Sequence, residues 1–179
     1  MPHLQQLRPD HASRVLTFEL ENRAYFATWI YDRGDEYFER FGQRHDALLA
    51  EQESGIGVFY VFVAEDGSIV GRFNFVFEED GFAELGYRVA QHATGLGIAT
   101  AGVREACALV EVGRDVRAVR AAAASANPAS RKVLTNAGFL PVGPANPADL
   151  GGQPGTWYQR DVDGVGLLAT RASEGDKSE

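Results

Sequence analysis

A glycine-containing turn lies between a β-strand pattern and a helix pattern. The strand pattern ends at Val89 and Ala90, and the turn reads His92-Ala-Thr-Gly-Leu-Gly97. The first turn of a helix leaves about four backbone N–H groups without partners and carries roughly half a positive charge. Because glycine also lets the backbone approach a ligand closely, this turn predicts a cradle for an anion, and a pyrophosphate is the expected ligand.

Other structures can also place two glycines before a helix. An ordinary tight joint between strand and helix needs no ligand, and the glycines alone leave that interpretation open. A dinucleotide-binding fold requires a third glycine, but Thr100 stands in that position and no repeated parallel βαβ pattern precedes the turn. A Walker A loop is excluded because no Gly-Lys-Ser/Thr triplet follows.

The patterns around the turn predict the elements that position it. A short strand at residues 4–7 is followed by a helix that opens at Pro9-Asp10, with Asp10 as N-cap, and by a second helix at residues 35–52. Apolar runs and alternation predict three strands at 58–63, 69–77 and 82–89, joined by hairpin signals. After the turn come a helix at 95–112, a strand at 116–124, a helix opened by Asn127-Pro128 and closed by Gly138, and strands at 139–142 and 156–160.

Composition limits the class of protein. The 179 residues carry a formal net charge of −8 and 45% apolar side chains, which predicts one domain over residues 4–170 and a flexible polar tail at 171–179. The acidic balance excludes a sequence-independent nucleic-acid binder. No secretory signal or apolar membrane-spanning run is seen, the histidines lack metal-ligand spacing, and Cys107 has no disulfide partner. We therefore expect a cytoplasmic protein without membrane contacts or a metal.

Two segments resemble a known family. Residues 84–100 (ELGYRVAQHATGLGIAT) are similar to the acetyl-CoA motif of the GNAT N-acetyltransferases, and residues 127–139 (NPASRKVLTNAGF) are similar to the helix and strand that follow it. The most similar branch is the RimJ/RimL ribosomal-protein acetyltransferase type. The resemblance implies an α+β fold with a central, mostly antiparallel sheet of six to seven strands and helices on both faces.

The resemblance also implies which residues bind acetyl-CoA, the co-substrate. Main-chain amides of the turn hold the pyrophosphate, Asn127 hydrogen-bonds the pantetheine arm, and the N–H near Val89 polarises the acetyl carbonyl. For Tyr87, Arg88 and His92, packing or solvent exposure stays the alternative. The implied cofactor-binding residues are Tyr87, Arg88, Val89, His92, Ala93, Thr94, Gly95, Leu96, Gly97, Ile98, Ala99, Thr100, Asn127 and Ser130.

The sequence departs from the family pattern at two positions. His92 occupies a position that is often Arg or Gln, which backbone donors should tolerate. Many family members carry a tyrosine general acid where this chain has Leu134, and a leucine cannot donate a proton. The RimJ/RimL type offers Ser130 instead, as a thiolate or pantetheine contact and a candidate proton donor. The alternatives are a helix-start hydroxyl for Ser130 and a pure N-cap for Asn127.

Glu84 is the candidate general base, because a carboxylate can take the ammonium proton of the acceptor directly or through water. Side chains two residues apart on a strand project from the same face of the sheet, so Glu84 shares its face with Phe82. A simple hairpin register would place Phe73, Phe75 and Phe77 on that face as well. A carboxylate among phenyl rings should have a raised pKa. A glutamate at the sheet periphery or in a structural ion pair is the alternative.

The resemblance predicts transfer of an acetyl group to a primary amine, either a protein N-terminal amine or a small-molecule amine, directly in a ternary complex. A non-catalytic acyl-CoA-binding sensor or scaffold is the alternative. A nucleotide-binding module is disfavoured by the antiparallel strands before the turn. No recognisable motif identifies the acceptor. We expect the choice of acceptor to depend on the N-terminal helices and on residues 143–155. The oligomeric state is also left open, with a homodimer as one alternative.

Overall fold

One mixed sheet organises the chain. A computed structural model describes residues 1–162. The strands are β1 (His3–Gln6), β2 (Gly57–Val63), β3 (Ile69–Phe77), β4 (Phe82–Val89), β5 (Ala118–Ala124), β6 (Leu140–Ala145) and β7 (Gly155–Asp161). The helices are α1 (Ala12–Glu21), α2 (Arg23–Phe26), α3 (Asp35–Glu39), α4 (Phe41–Glu53), α5 (Ile98–Gly113) and α6 (Pro128–Asn136).

The strand order is β1-β2-β3-β4-β5-β7-β6. Every neighbouring pair is antiparallel except β4 and β5, which run parallel because α5 crosses between them. The α+β class and the mostly antiparallel sheet predicted from the sequence are thereby confirmed.

Helices cover the two faces of the sheet. Successive side chains of a strand point to opposite faces. The α1 face carries Arg72 and Glu84, and Glu19 of α1 reaches it. The α5 face carries Phe73 and Tyr87 and packs against α5 and α6.

Close packing of α5 on the sheet depends on a small residue. A Cβ atom on Gly102 would lie 2.1 Å from the ring of Phe73, so only glycine fits at this crossing. Phe73 is fully buried there, as are Val103 and Ala106 of α5. Gly102 therefore permits the close approach of α5 to the sheet.

Two predicted helix details are wrong. Asp10 does not cap α1, because its carboxylate accepts hydrogen bonds from the Arg8 side chain at 2.9 and 3.1 Å and a short 3₁₀ turn precedes Ala12. The predicted helix at 35–52 is two helices, because the backbone leaves helical geometry at Arg40, with φ −103° and ψ 21°. The predicted tail at 171–179 and the domain end at residue 170 lie outside the described residues.

Candidate functional site

The sheet opens between β4 and β5. These strands pair only from Phe82 to Glu84 on β4, although both strands continue. The bonds from Glu78 N to Phe82 O and from Ala90 N to Val70 O show that even-numbered residues of β4 bond to β3. Odd-numbered residues therefore direct their main-chain groups towards β5. Beyond the paired segment, the main chain of Tyr87 and Val89 faces the opening.

The predicted anion cradle lies at the same end of β4. Gly95 and Gly97 both have φ near +76°, and a Cβ added to either would meet no atom within 4 Å. Gly97 is the N-cap of α5, and no side chain caps this helix. The N–H groups of the first turn, at residues 98–100, are therefore available to an anion.

Two of the residues predicted in the cradle use their N–H groups elsewhere. Ala93 N donates to Ala90 O at 2.9 Å, and Thr94 N donates to Gln91 O at 3.2 Å, closing a 3₁₀ turn before the glycines. The side chain of His92 is exposed, as is that of Leu96. The available donors thus belong to the glycines and the helix start rather than to residues 93 and 94.

Tyr87, Ser130 and Asn127 form one hydrogen-bonded cluster across the opening. The hydroxyl groups of Tyr87 and Ser130 lie 2.8 Å apart, and the Tyr87 hydroxyl donates to Ser130 O at 3.2 Å. Asn127 Oδ1 accepts from Ser130 N at 3.1 Å, so Asn127 is the N-cap of α6 as predicted and its amide NH₂ is left for other contacts. Burial raises the pKa of Tyr87 to about 12, so its phenol stays protonated at neutral pH.

Leu134 is fully buried in the core beneath α6. The position that carries a tyrosine acid in many members of the resembled family is therefore a packing position in this chain. Hydroxyl groups lie one helical turn earlier, on Ser130, and across the opening, on Tyr87.

The environment predicted for Glu84 is wrong. Val76 lies opposite Glu84, and Phe75 lies opposite Leu85. The phenylalanines of β3 therefore project from the α5 face, whereas Glu84 projects from the α1 face with Phe82. The four-residue turn between Phe77 and Phe82 produces this register, because Glu78 N bonds to Phe82 O at 2.8 Å.

Glu84 instead lines an open cleft on the α1 face. The cleft has a volume of about 470 Å³, and its wall includes Phe82, Arg120 and Trp157. Partial burial of the carboxyl raises the pKa of Glu84, and the charges of Glu78 and Asp149 raise it further. The raised pKa that the sequence predicted is present, but solvent exclusion and neighbouring carboxylates cause it.

Arg120 was missed by the sequence reasoning. Its guanidinium lies 3.4 Å from the centre of the Phe82 ring, and its Nε donates to Gln159 Oε1 at 2.9 Å. Arg120 is the register partner of Glu84 on β5. A charged residue within an alanine-rich strand was the available signal.

A buried ion cluster lies on the same α1 face of the sheet. Glu19 accepts from Arg72 at 2.6 Å and from Arg88 at 3.1 Å, and its side chain is only 2% exposed. Arg88 also lies over the ring of Phe26, 5.1 Å from its centre. Burial lowers the pKa of Arg88 to about 10, while Glu19 acts in the opposite direction. The side chain of Arg88 thus points away from the anion cradle.

Neither Glu19 nor Arg72 was identified from the sequence. The usable signal was Arg72 as the one charged residue of a largely apolar strand, since a buried charge requires a partner. Its partner lies 53 residues away, and no local pattern indicates that distance.

The aromatic residues that follow α1 divide into two groups. Phe26 and Tyr25 pack with the core. Trp29 lies in the loop after α2, whose main chain comes within 4 Å of the Cβ position of Gly151. The loops at 27–34 and 146–154 therefore meet above the α1 face. Among residues 1–162, no group of His, Cys, Asp or Glu is placed to hold a metal ion, and no helix is long and apolar enough to cross a bilayer.

Residues 3–140 match the acetyltransferase (GNAT) domain family. Among curated proteins, none matches the chain significantly. Many solved structures share the fold, all of those described next at under 25% identity.

The ribosomal-protein-S5-alanine acetyltransferase of Vibrio fischeri is 20% identical, with a TM-score of 0.83, covering 89% of this chain and 92% of its own. An acetyltransferase of Salmonella typhimurium that modifies the N-terminal serine of ribosomal protein L7/L12 is 19% identical, with a TM-score of 0.78. The match covers 89% of this chain and 94% of the Salmonella chain. RimJ of Mycobacterium smegmatis, in complex with a CoA disulfide, is 22% identical, with a TM-score of 0.78, covering 94% and 88%. At these identities the likeness shows the fold.

Proposed function

The chain belongs to the GNAT acetyltransferase domain family, and from that premise we propose that it transfers an acetyl group from acetyl-CoA to a primary amine. The acceptor class that best fits is the N-terminal amine of a protein, since structural neighbours are named for that activity on ribosomal proteins. A small-molecule amine is the second acceptor class.

One observation carries the proposal: a carboxylate and a hydroxyl pair lie on opposite faces of the sheet beside one opening. Glu84 projects from the α1 face, and Tyr87 projects from the α5 face towards Ser130. An amine can thus approach from one side and a thioester from the other. This arrangement supports direct transfer in a ternary complex and needs no covalent enzyme intermediate.

The opening and the cradle fit a coenzyme A molecule. The uncapped start of α5, with space above Gly95 and Gly97, suits the pyrophosphate. The main-chain groups of Tyr87 and the carbonyl oxygen of Val89 suit the amides of an extended pantetheine arm, which would add to the free edge of β4. Asn127 would contribute its free NH₂ group.

The residues of the chain then have separate tasks. Glu84, as carboxylate, takes the proton of the acceptor ammonium, directly or through water. The Val89 N–H donates a hydrogen bond to the acetyl oxygen as negative charge develops there. As the new C–N bond forms and the C–S bond breaks, Ser130, hydrogen-bonded to Tyr87, gives the proton that the departing sulfur takes. The second proton of the amine nitrogen leaves to solvent, and Ser130 regains a proton from solvent, so the products are the amide and the free thiol of coenzyme A.

Release of coenzyme A from acetyl-CoA, measured with a panel of N-terminal peptides and small amines, tests the function. We expect turnover, with acetylated product identified by mass spectrometry, for at least one class of amine. A non-catalytic acyl-CoA sensor would bind acetyl-CoA with a thermal shift but release no coenzyme A above the buffer rate with any amine, and that outcome would reject the enzyme proposal.

The hydroxyl pair gives a second prediction. Ser130→Ala and Tyr87→Phe should each lower kcat by roughly 30-fold, and the double variant by only about 100-fold, because the two hydroxyls act as one unit. Steady-state kinetics at saturating acetyl-CoA measures all three effects. The KM for acetyl-CoA should change by less than about threefold, since the pyrophosphate donors are main-chain groups.

Thr135→Ala provides the matched control. Thr135 lies on the same helix, and its hydroxyl donates to Arg131 O at 2.9 Å on the exposed side. This variant should keep the wild-type kcat. If Ser130→Ala loses less than about threefold in kcat, Ser130 is a helix-start hydroxyl and has no part in proton transfer.

A further inference from the structure

The ion cluster of Glu19, Arg72 and Arg88 on the α1 face has an excess of positive charge. Both oxygens of the Glu19 carboxylate are shared between Arg72 and Arg88. Arg33 adds a further guanidinium near Arg88, close enough that its charge lowers the pKa of Arg88. Arg33 donates to the hydroxyl of Tyr37 at 2.6 Å, and within residues 1–162 it forms no ion pair with a carboxylate.

This excess is unexpected in a chain of this composition. Acidic residues outnumber basic ones by 25 to 17, so carboxylates are plentiful. The neighbouring Asp32 and Asp35 are nevertheless engaged by Arg23, at 2.7 and 2.9 Å. Because like charges held close together cost free energy, an excess of guanidinium groups over carboxylates is a feature to be explained by what it binds.

The positive group lies beside the reacting position on the same face. On β4 the α1 face presents Glu84, Gly86 and Arg88 in succession. A Cβ atom added to Gly86 would meet nothing within 4 Å, so the surface between the acid and the arginine is open. Asn74, opposite Gly86, has a buried Oδ1 atom without a hydrogen-bond partner among the described residues.

We infer that the acceptor carries a carboxylate close to its amine, bound by Arg88 and Arg33 while the amine lies over Gly86. The inference rests on the proposed function and names its acceptor class: a peptide with aspartate or glutamate at position 2 or 3. The amine donates to Asn74 Oδ1 and gives its proton to Glu84. Residues two apart on a strand are separated by roughly 7 Å, which matches the distance from an α-amine to such a side chain.

Arg88 is suited to be the fixed part of this site. Glu19 and the Phe26 ring hold its guanidinium, and 20% of the side chain remains exposed. A guanidinium that is already ordered loses little entropy when a carboxylate binds. Arg33, which is exposed, supplies the second charge, and its contact with the buried side chain of Tyr37 is a hydrogen bond to the hydroxyl.

Matched peptides test the inference. They differ only by Glu, Gln or Lys at position 2, with a second set at position 3. For the wild type, kcat/KM should be about tenfold higher for the Glu peptide than for the Gln peptide, and the ratio should fall with added salt. Arg33→Gln should reduce that ratio to below about threefold by lowering kcat/KM for the Glu peptide, and Arg33→Glu should favour the Lys peptide.

Arg40→Gln is the control, because Arg40 is an exposed arginine of the same region that pairs with Glu36 at 3.3 Å. It should keep the wild-type ratio. Equal kcat/KM for Glu and Gln peptides would overturn the inference and leave the acetyltransferase function intact.

Binding of the same peptides to the coenzyme A-loaded protein, measured by calorimetry, separates the two claims. If no peptide is acetylated but the Glu peptide binds more tightly in an Arg33-dependent way, the carboxylate site stands and the proposed reaction on peptides fails. If no peptide binds or reacts, the inference is overturned.

Discussion

Replacing Glu84 with glutamine should lower kcat by about 10²- to 10⁴-fold, the range expected for loss of a general base. Glutamine keeps the size of the side chain and removes its ability to take a proton. Glu84 lies on the wall of an open cleft, so the fold should tolerate the change. Steady-state kinetics with the best acceptor amine, together with the thermal unfolding temperature, measures both properties.

The pH profile makes this prediction specific. A base must be ionised, so kcat/KM should fall as the pH drops through the pKa of Glu84, which burial and then Glu78 and Asp149 raise above its usual range. In Glu84→Gln only amine that is already neutral can react, so the rate should rise with pH towards the amine pKa of about 8. The fall in kcat/KM that the wild type shows at the pKa of Glu84 should therefore be absent from the profile of the variant.

Glu78→Gln is the matched control. Glu78 lines the same cleft, and its charge contributes to the raised pKa of Glu84. Removing that charge should lower the Glu84 pKa and shift the acidic limb to lower pH, while the plateau rate is kept. If Glu84→Gln keeps its kcat, Glu84 is a peripheral glutamate and the base lies elsewhere.

Much of the fold could be predicted because its signals are local. Alternation predicts β3 and β4 to the residue, and Asn127-Pro128 marks the start of α6. The order of a strand, a glycine-containing turn and a helix also predicts the position of the anion cradle between β4 and α5. In each case a few neighbouring residues determine the backbone geometry, so no information about distant contacts is needed.

The orientation of side chains on the sheet could not be predicted in the same way. A register is set by a single turn, and one residue of difference moves every side chain to the other face. The turn between Phe77 and Phe82 placed Phe73 and Phe75 behind Glu84 rather than around it. The partner of Arg72 could not be predicted either, because α1 and β3 meet only in the folded chain.

Replacing Glu19 with glutamine should destabilise the protein by about 3–5 kcal/mol, because it leaves Arg72 and Arg88 buried without a counter-charge. The side chains of Glu19 and Arg72 are 2% and 4% exposed, so water cannot replace the lost carboxylate. For a chain of this length, the midpoint of thermal unfolding should fall by roughly 6–20 °C. Chemical denaturation at constant pH gives the free energy of unfolding directly.

A second substitution identifies the cause of that loss. In Glu19→Gln/Arg72→Met one of the stranded charges is replaced by an apolar chain of similar length, so part of the stability should return. If the loss came from packing around α1, the added change would make it worse.

Glu36→Gln is the control for the burial of the ion pair. Glu36 and Arg40 form an ion pair at 3.3 Å, but both side chains are more than 60% exposed. Breaking such a pair should cost less than about 0.5 kcal/mol, since water and salt already screen it. Equal losses for the Glu19 and Glu36 variants would show that the Glu19 carboxylate is hydrated in solution. Arg88 would then lack the fixed support on which a carboxylate-bearing acceptor depends.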